Sequence, residues 1–265
     1  MPELPEVDTV VRTIAPHITG RMILHAEFDS PHVTPGDREL LARQLASRRV
    51  ERVRRHGKYI IADLDRGMLV IHLGMTGRLL FDAPRGPYTH GYFALDHGVL
   101  AYDDVRQFGS IEWTEDVNPR VAALGPDALT VPATDFVASL REKKTARLKA
   151  LLLNQSFVAG LGNIYVDEVL FRTRLHPLTA ASRLTKPRAL ELHANILQVL
   201  QESIERGGSS ISDYVDAEGR KGSFQDRHRV YGREGQPCVD CGGLIKKMVV
   251  AQRGTHWCPA CQKKR

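Results

Sequence analysis

The stretch Cys238-Val-Asp-Cys-Gly-Gly-Leu-Ile-Lys-Lys-Met-Val-Val-Ala-Gln-Arg-Gly-Thr-His-Trp-Cys-Pro-Ala-Cys261 holds all four cysteines of the chain, spaced C-x2-C-x16-C-x2-C. Each C-x2-C pair closes a tight knuckle, and two knuckles bring Cys238, Cys241, Cys258 and Cys261 to the corners of a tetrahedron. Disulfides are the competing reading. The start of the chain carries Glu3, Glu6 and Asp8 rather than a basic and then apolar leader, so a reducing, cytoplasmic setting is expected, where disulfides are disfavoured. Gly242, Gly243 and Pro259 also suit metal knuckles. Four sulfur ligands leave no open coordination position, so one structural Zn²⁺ is expected to fold the module and take no part in chemistry. Leu244 to Val250 and Gln252 to Trp257 read as the strands of a hairpin whose tip, Arg253 beside Gly254, can reach a phosphate.

Working outward, the surroundings of this module are strongly basic. Between Arg220 and Arg265 lie 11 Lys and Arg against Asp226, Glu234 and Asp240, a formal +8, and the first 219 of the 265 residues sum to −2. A cationic module beside a nearly neutral body fits a polyanion, most commonly nucleic acid, better than a frayed solvated tail. Hydrophobic residues at 42% and charged residues at 26% exclude a collagenous, low-complexity or disordered chain. No run of eighteen apolar residues occurs, so no membrane span and no membrane partner are expected.

Further towards the N-terminus, residues 133 to 225 carry a helical period. Asp135 to Leu140 and Ala146 to Asn154 are helix candidates, and Val158-Ala-Gly-Leu-Gly-Asn163 leads into another. Two glycines before a helix let backbone N–H groups approach an anion, and Asn163 is a favoured N-cap type; a tight interhelical turn explains the same residues equally well. Thr185 to Arg206 is the clearest helix, with Leu192, Ile196, Val199, Leu200 and Ile204 on one face and Gly207-Gly208 as its stop. Residues 116 to 132, rich in Pro and Gly, read as a linker. Residues 5 to 17 form an amphipathic helix. Short β-like runs follow at Met22 to Phe28, Val50 to Val53, Tyr59 to Leu64, Met68 to Leu73, Gly77 to Phe81, Tyr92 to Asp96 and Val99 to Tyr102. The expected class is α+β and multidomain: an N-terminal antiparallel β-sandwich with its helix over 1–115, the linker 116–132, a helical domain over 133–225 and the zinc finger over 226–265.

Three stretches carry a specific resemblance: Met1-Pro-Glu-Leu-Pro-Glu-Val7, Asn154-Gln-Ser-Phe-Val-Ala-Gly-Leu-Gly-Asn-Ile-Tyr-Val-Asp-Glu168 and Arg253-Gly-Thr-His-Trp-Cys-Pro-Ala-Cys-Gln262. Together they resemble the bacterial formamidopyrimidine-DNA glycosylases, in which a β-sandwich domain and a helix-two-turn-helix plus zinc-finger domain clasp damaged duplex DNA. The resemblance implies a monomeric, cytoplasmic base-excision-repair enzyme, a DNA glycosylase and abasic-site lyase that removes 8-oxoguanine and formamidopyrimidines and nicks the strand by β,δ-elimination.

The residues implied in this chemistry can be tested against what each could do. Removal of Met1 would expose Pro2 as a secondary amine, and an α-amine titrating near 8 is partly neutral at physiological pH. Its condensation with the opened sugar gives an iminium, cationic without protonation and an effective electron sink. Glu3 matches the acid/base residue. Glu6 in the same turn either orients the site or serves the helix dipole. Lys58 matches a lysine assigned to proton transfer and phosphate contact. Arg253 matches an arginine assigned to the later elimination, where so basic a group acts by stabilising the departing phosphate. Met75, Arg106 and Phe108 match the set that fills the gap left by the extruded nucleotide, with Arg106 and Phe108 expected on one side of an extended segment. Lys144 and Asn163 match phosphate contacts, and either His90 or, with a shift of two residues, Tyr88 takes the family's histidine position. The flipped base is expected to meet the Gly- and Ser-rich stretch 209 to 225. Two alternatives stand beside this reading: an endonuclease VIII type preferring oxidised pyrimidines, against which Leu4, Val7, Met75, Arg106 and Phe108 weigh, and a non-catalytic zinc-ribbon DNA-binding protein.

Overall fold

The computed structural model describes residues 2–143, 145–211 and 213–264. Its first helix, α1 (Leu4–Ile18), starts on a reciprocal capping box in which the Glu3 carboxylate accepts the Glu6 amide and the Glu6 carboxylate accepts the Glu3 amide. Val7, Val10, Val11, Ile14 and Ile18 recur at helical spacing and are all buried in one core. Eight strands share that core: β1 (Met22–Phe28), β2 (Arg48–His56), β3 (Tyr59–Leu64), β4 (Met68–His72), β5 (Arg78–Phe81), β6 (Thr89–Leu95), β7 (Val99–Asp103) and β8 (Ser110–Thr114). A short helix, α2 (Arg38–Leu45), lies between the first two, capped by Asp37 and anchored by Leu41 and Leu45.

The strands pair antiparallel in the order β5-β7-β6-β1-β2-β3-β4-β8. The two halves are joined by the register pairs Met22↔Arg49 and Ile23↔Arg48. They fold over each other, as two contacts show. The Tyr102 hydroxyl of β7 donates to the His72 carbonyl of β4 at 3.2 Å. A Cβ placed on Gly91 of β6 would stand 2.6 Å from Ile111 Cδ1 of β8. This is the expected sandwich, with alternate residues such as Ile60, Ala62 and Leu64 turned into the core. Neither α2 nor β8 was expected. In α2 only Leu41 and Leu45 are anchors, and β8 offers too short an alternation to separate from a loop.

The chain forms two compact units, one of Met1–Ala123 and Ile204–Gln225 and a second of Leu124–Ser203 and Asp226–Arg265. Residues 204–225, grouped with the helical domain in the sequence reading, therefore belong with the sheet. The Phe81 amide donates to the Ala217 carbonyl, the Ala217 amide donates to Thr13 Oγ1, and Tyr214 and Ala217 enter the sheet core. The expected linker is also divided. It begins in the first unit with the turn α3 (Pro119–Ala122), capped by Asn118. Its later part pairs with residues of the second unit, where Ala128 donates to Ala159 and Ala159 to Pro126.

The second unit contains α4 (Ala133–Glu142), α5 (Leu148–Leu153), α6 (Asn163–Arg172), most of α7 (Lys186–Glu205) and the ribbon β9 (Lys246–Val250) with β10 (Arg253–Trp257). The two-turn connection from α5 to α6 is stapled by Gln155, whose amide nitrogen donates to Leu153 and Leu161 and whose oxygen accepts from Gly160. The apolar face of α7 is buried as its periodicity implies. Around the ribbon, Phe171 of α6 packs with Val230, Cys238, Ile245 and Cys258.

Phe93 of β6 is 0% exposed, with its ring edge on Phe28. Phe93→Ala should cost about 3–5 kcal/mol through lost burial and the cavity left behind. Urea unfolding followed by tryptophan fluorescence, where Trp113 of the same core reports, checks this as a fall in midpoint at unchanged slope.

Candidate active site and zinc module

In the first unit, Glu3 and Glu6 are 3% and 1% exposed, and Pro2 is buried beside them. Glu6 Oε2 accepts the Glu3 amide at 2.8 Å, while Oε1 accepts the Ser209 amide at 2.7 Å. The Tyr214 hydroxyl donates to the Glu6 carbonyl at 3.2 Å. Burial, then the nearby Glu6 charge, pushes the Tyr214 phenol up, so it stays a donor. Glu6 thus ties the start of the chain to the 209–225 segment, more than a helix-dipole partner would do.

Lys58 sits in the turn between β2 and β3. A lysine at such a position is ordinarily solvated, yet this one is 7% exposed. Arg55 connects the turn to α1: its guanidinium donates to Asp8 at 3.2 Å and to the Gly57 carbonyl at 2.9 Å. Opposite, on β4, burial followed by the charges of Lys58 and Arg120 pushes His72 down to about 4, so its ring is neutral.

Met75 and Phe108 are 40% and 58% exposed, and Arg106 is exposed between their loops. The segment bearing Arg106 and Phe108 is a turn rather than the extended run expected, because Gln107 is left-handed at φ 53°. The two side chains still meet, with Arg106 Cζ 4.5 Å over the Phe108 ring. His90 holds Asp29 through Nδ1 at 2.8 Å, and its buried Nε2 has no partner among the described residues. Tyr88 is half exposed. The Gly- and Ser-rich stretch is anchored by Ser210, whose amide donates to Gln225 and whose hydroxyl donates to Tyr214 and accepts from Gly222.

In the second unit, Gly162 rather than Asn163 caps α6, and Asn163 opens the helix. Its side chain bridges two neighbours: Oδ1 accepts from Lys149 Nζ at 2.7 Å and Nδ2 donates one of its protons to the Gly254 carbonyl at 2.9 Å. Lys149 also pairs with Asp167 at 2.5 Å, both side chains fully buried. Asp167 Oδ2 accepts the His256 amide at 2.8 Å. Asn163, Lys149 and Asp167 therefore fix β10, whose first residue is the exposed Arg253, against α6. Ala251 and Gln252, both with positive φ, form the two-residue turn before it. The next acid on α6, Glu168, accepts the amides of Arg229, Val230 and Tyr231 at 2.8 to 3.1 Å. Burial pushes its carboxyl up, and these amides oppose that shift. Lys144 lies outside the described residues. None of Lys149, Asp167, Glu168 or Asp104 was singled out from sequence; only their burial reveals them.

The four thiols converge as their spacing implies. All four Sγ atoms lie within 4.8 Å of one another, with Cys241 to Cys258 at 3.5 Å and Cys238 to Cys261 at 3.9 Å. A tetrahedron with Zn–S of about 2.3 Å has edges of about 3.8 Å, so the donor set fits one zinc ion. The site is tied to the helical unit by Gln262, which accepts the Cys258 amide and donates to the Leu175 carbonyl.

A sheet-and-helix unit with a buried Pro2-Glu3 pair, together with a helix-two-turn-helix unit bearing a four-cysteine ribbon, defines a class of DNA glycosylases. Family models match along the chain: the formamidopyrimidine-DNA glycosylase N-terminal domain over residues 1–111, its H2TH domain over 124–215, and the zinc finger found in FPG and IleRS over 235–264. The chain is 51% identical over 266 residues to the formamidopyrimidine-DNA glycosylase of Solibacter usitatus, covering 100% of both chains. It is 46% identical to that of Heliobacterium modesticaldum, over 99% of this chain and 100% of the relative. Among solved structures, a Lactococcus lactis FPG mutant in complex with Fapy-dG containing DNA superposes with a TM-score of 0.90 at 38% identity, covering 99% of this chain and 100% of that one. MutM in complex with carbocyclic 8-oxo-G containing DNA matches with a TM-score of 0.89 at 38% identity and the same coverage. The chain belongs to the formamidopyrimidine-DNA glycosylase family. A stand-alone zinc ribbon is thereby set aside. Among the described residues, no helix is long and apolar enough to cross a membrane.

Removing one partner of the buried Lys149–Asp167 pair leaves an uncompensated charge. Lys149→Met should lower unfolding free energy by about 3–5 kcal/mol, and Lys149→Met with Asp167→Leu should recover most of it. Guanidinium unfolding of the two variants checks the difference.

Proposed function

We propose that the chain excises oxidised purines, 8-oxoguanine and formamidopyrimidines, from duplex DNA and then cuts the strand at the resulting abasic site. The observation that carries this reading is a full-length match to relatives named for the activity, in a chain whose Pro2-Glu3 pair is buried and fixed by Glu6. Cytoplasmic action fits four free cysteines arranged for zinc.

With Met1 removed, the Pro2 nitrogen attacks the sugar C1′ as the glycosidic bond breaks, and the proton that this nitrogen loses goes to the departing base. Glu3 then protonates the ring oxygen, and the opened sugar remains joined to Pro2 as an iminium. Loss of a C2′ proton sends its electron pair towards the cationic nitrogen and expels the 3′ phosphate. A second elimination expels the 5′ phosphate, and water hydrolyses the iminium to free Pro2. Lys58, held in the turn beside Arg55, is placed to exchange protons in the first elimination. Arg253 on the ribbon stabilises the phosphate charge. Asn163 contributes to phosphate contact at the N-terminus of α6, where its side chain also fixes the ribbon. Lys144 and His90 serve the same backbone grip. Met75, Arg106 and Phe108 occupy the space vacated by the extruded nucleotide, with Arg106 facing the orphaned base. Zinc, when bound, folds the ribbon and supplies no step.

Borohydride trapping tests this reading. Purified protein with an 8-oxoguanine duplex should give a covalent adduct that Pro2→Gly reduces by about a hundredfold or more. No adduct with any oxidised base would remove the enzyme reading, and an adduct formed preferentially with thymine glycol would move the substrate to oxidised pyrimidines.

A further inference from the structure

Met75 and the pair Arg106 and Phe108 stand on separate loops, and their exposed side chains do little to hold those loops in register. A plug for a base-pair gap nevertheless has to be positioned before the nucleotide leaves. Between them in the chain lies a charged side chain removed from water, Asp104, at 0% exposure. Its Oδ1 accepts from Thr76 Oγ1 at 2.5 Å and from the Arg106 amide at 3.3 Å. Its Oδ2 accepts from the Gly109 amide at 2.8 Å and the Tyr102 hydroxyl at 3.4 Å. Thr76 follows Met75, the Arg106 amide belongs to one reader, and Gly109 follows the other. The circuit closes on itself, because Thr76 Oγ1 also accepts the Arg106 amide at 3.1 Å.

We propose that Asp104 is the positioning residue of the gap-filling set, joining the Met75 loop to the Arg106–Phe108 turn through one buried carboxylate. This rests on the reading above, in which those three side chains fill the gap. A carboxylate suits the place because it only accepts and can take all four donors. Around it the backbones are in direct contact: at Gly74, φ 57°, an added Cβ would stand 2.4 Å from Gly109 N and from the Phe108 carbonyl carbon. The Gly74 amide donates to neutral His72 at Nδ1, 3.1 Å, and Ser30 Oγ donates to Gln107 Oε1 at 2.6 Å. Burial followed by the Asp104 charge pushes the Tyr102 phenol up, so it too remains a donor. Asp104→Asn would turn one acceptor into a donor facing donors, and Asp104→Ala would take from the Thr76 hydroxyl and the Gly109 amide the acceptor that joins the two loops.

The test uses the full chain and a duplex with 8-oxoguanine whose neighbouring base is 2-aminopurine, read by stopped-flow fluorescence as the stack opens and is refilled. Phe108→Ala, Asp104→Asn and Asp104→Ala are compared with wild type, alongside steady-state excision. Asp104→Ala should slow or shrink the fluorescence phase on the order of tenfold to a hundredfold and lower kcat more than it raises KM, with Asp104→Asn intermediate. Wild-type fluorescence in folded Asp104 variants, with the phase lost in Phe108→Ala, would overturn the proposal and leave the gap-filling reading intact. An unchanged phase in Phe108→Ala would remove that reading, and with it the proposal. Should Asp104→Ala fail to fold, Thr76→Val decides: a lowered melting temperature with unchanged fluorescence well below it would mean a merely structural role and overturn the proposal.

Discussion

A carboxylate removed from water must find hydrogen-bond donors, and in this chain many of those donors are backbone amides of the segments that carry the functional side chains. Glu6 takes the Glu3 and Ser209 amides, Asp104 takes Arg106 and Gly109, Asp167 takes His256, and Glu168 takes Arg229, Val230 and Tyr231. Each of these acids is less than 5% exposed. An unsatisfied ion in such a place costs several kcal/mol, so each loop is held by what its acid would lose if the loop moved. Two levels of structure thus share one cause: the helices and sheets bury the acids, and the acids then order the irregular backbone on which the chemistry stands.

The same constraint separates the tasks of the two units. In the first, the capping box fixes the helix start, with the buried Pro2 and Glu3 beside the segment that Glu6 holds. In the second, α6 presents Asn163, Asp167 and Glu168 so that one helix aligns both the tip strand of the ribbon and the approach to the zinc module. Zinc and protein contacts reinforce each other there, because Cys238 and Cys258 pack on Phe171 and Gln262 bonds back to Leu175. The basic excess of the C-terminal region is consistent with a grip on phosphates. The chemistry proposed above is assigned to the other unit.

Much of this was legible in the sequence, for stated reasons. Cysteine spacing specifies a four-thiolate site almost by itself, and the i, i+4 pattern of Leu192, Ile196 and Leu200 specifies α7. The roles proposed for Pro2, Glu3 and Phe108 rest on resemblance, since a lone proline or phenylalanine carries no chemistry in its spacing. The buried acids were not legible. Asp104 is bonded to Thr76, and Asp167 to Lys149 and His256, across long stretches of chain, and a charged residue in a sequence is by default a solvated one. Asn163 was read as a cap because Asn is a favoured residue there, whereas the cap is Gly162, one residue earlier, and Asn163 is the first residue of the helix. Residues 204–225 start inside the last turn of α7, before the Gly207-Gly208 stop, and only the Glu6, Thr13 and Phe81 contacts reveal that they pack with the sheet.

The central claim is that buried carboxylates hold the functional backbone, and amide hydrogen exchange resolved by NMR reads it most directly. The amides of Ser209, Gly109, His256 and Tyr231 should exchange about a thousandfold or more slower than an unstructured chain, as slowly as neighbouring core amides. Exchange at those four positions as fast as in exposed loops, with the sheet and helix cores still protected, would contradict it.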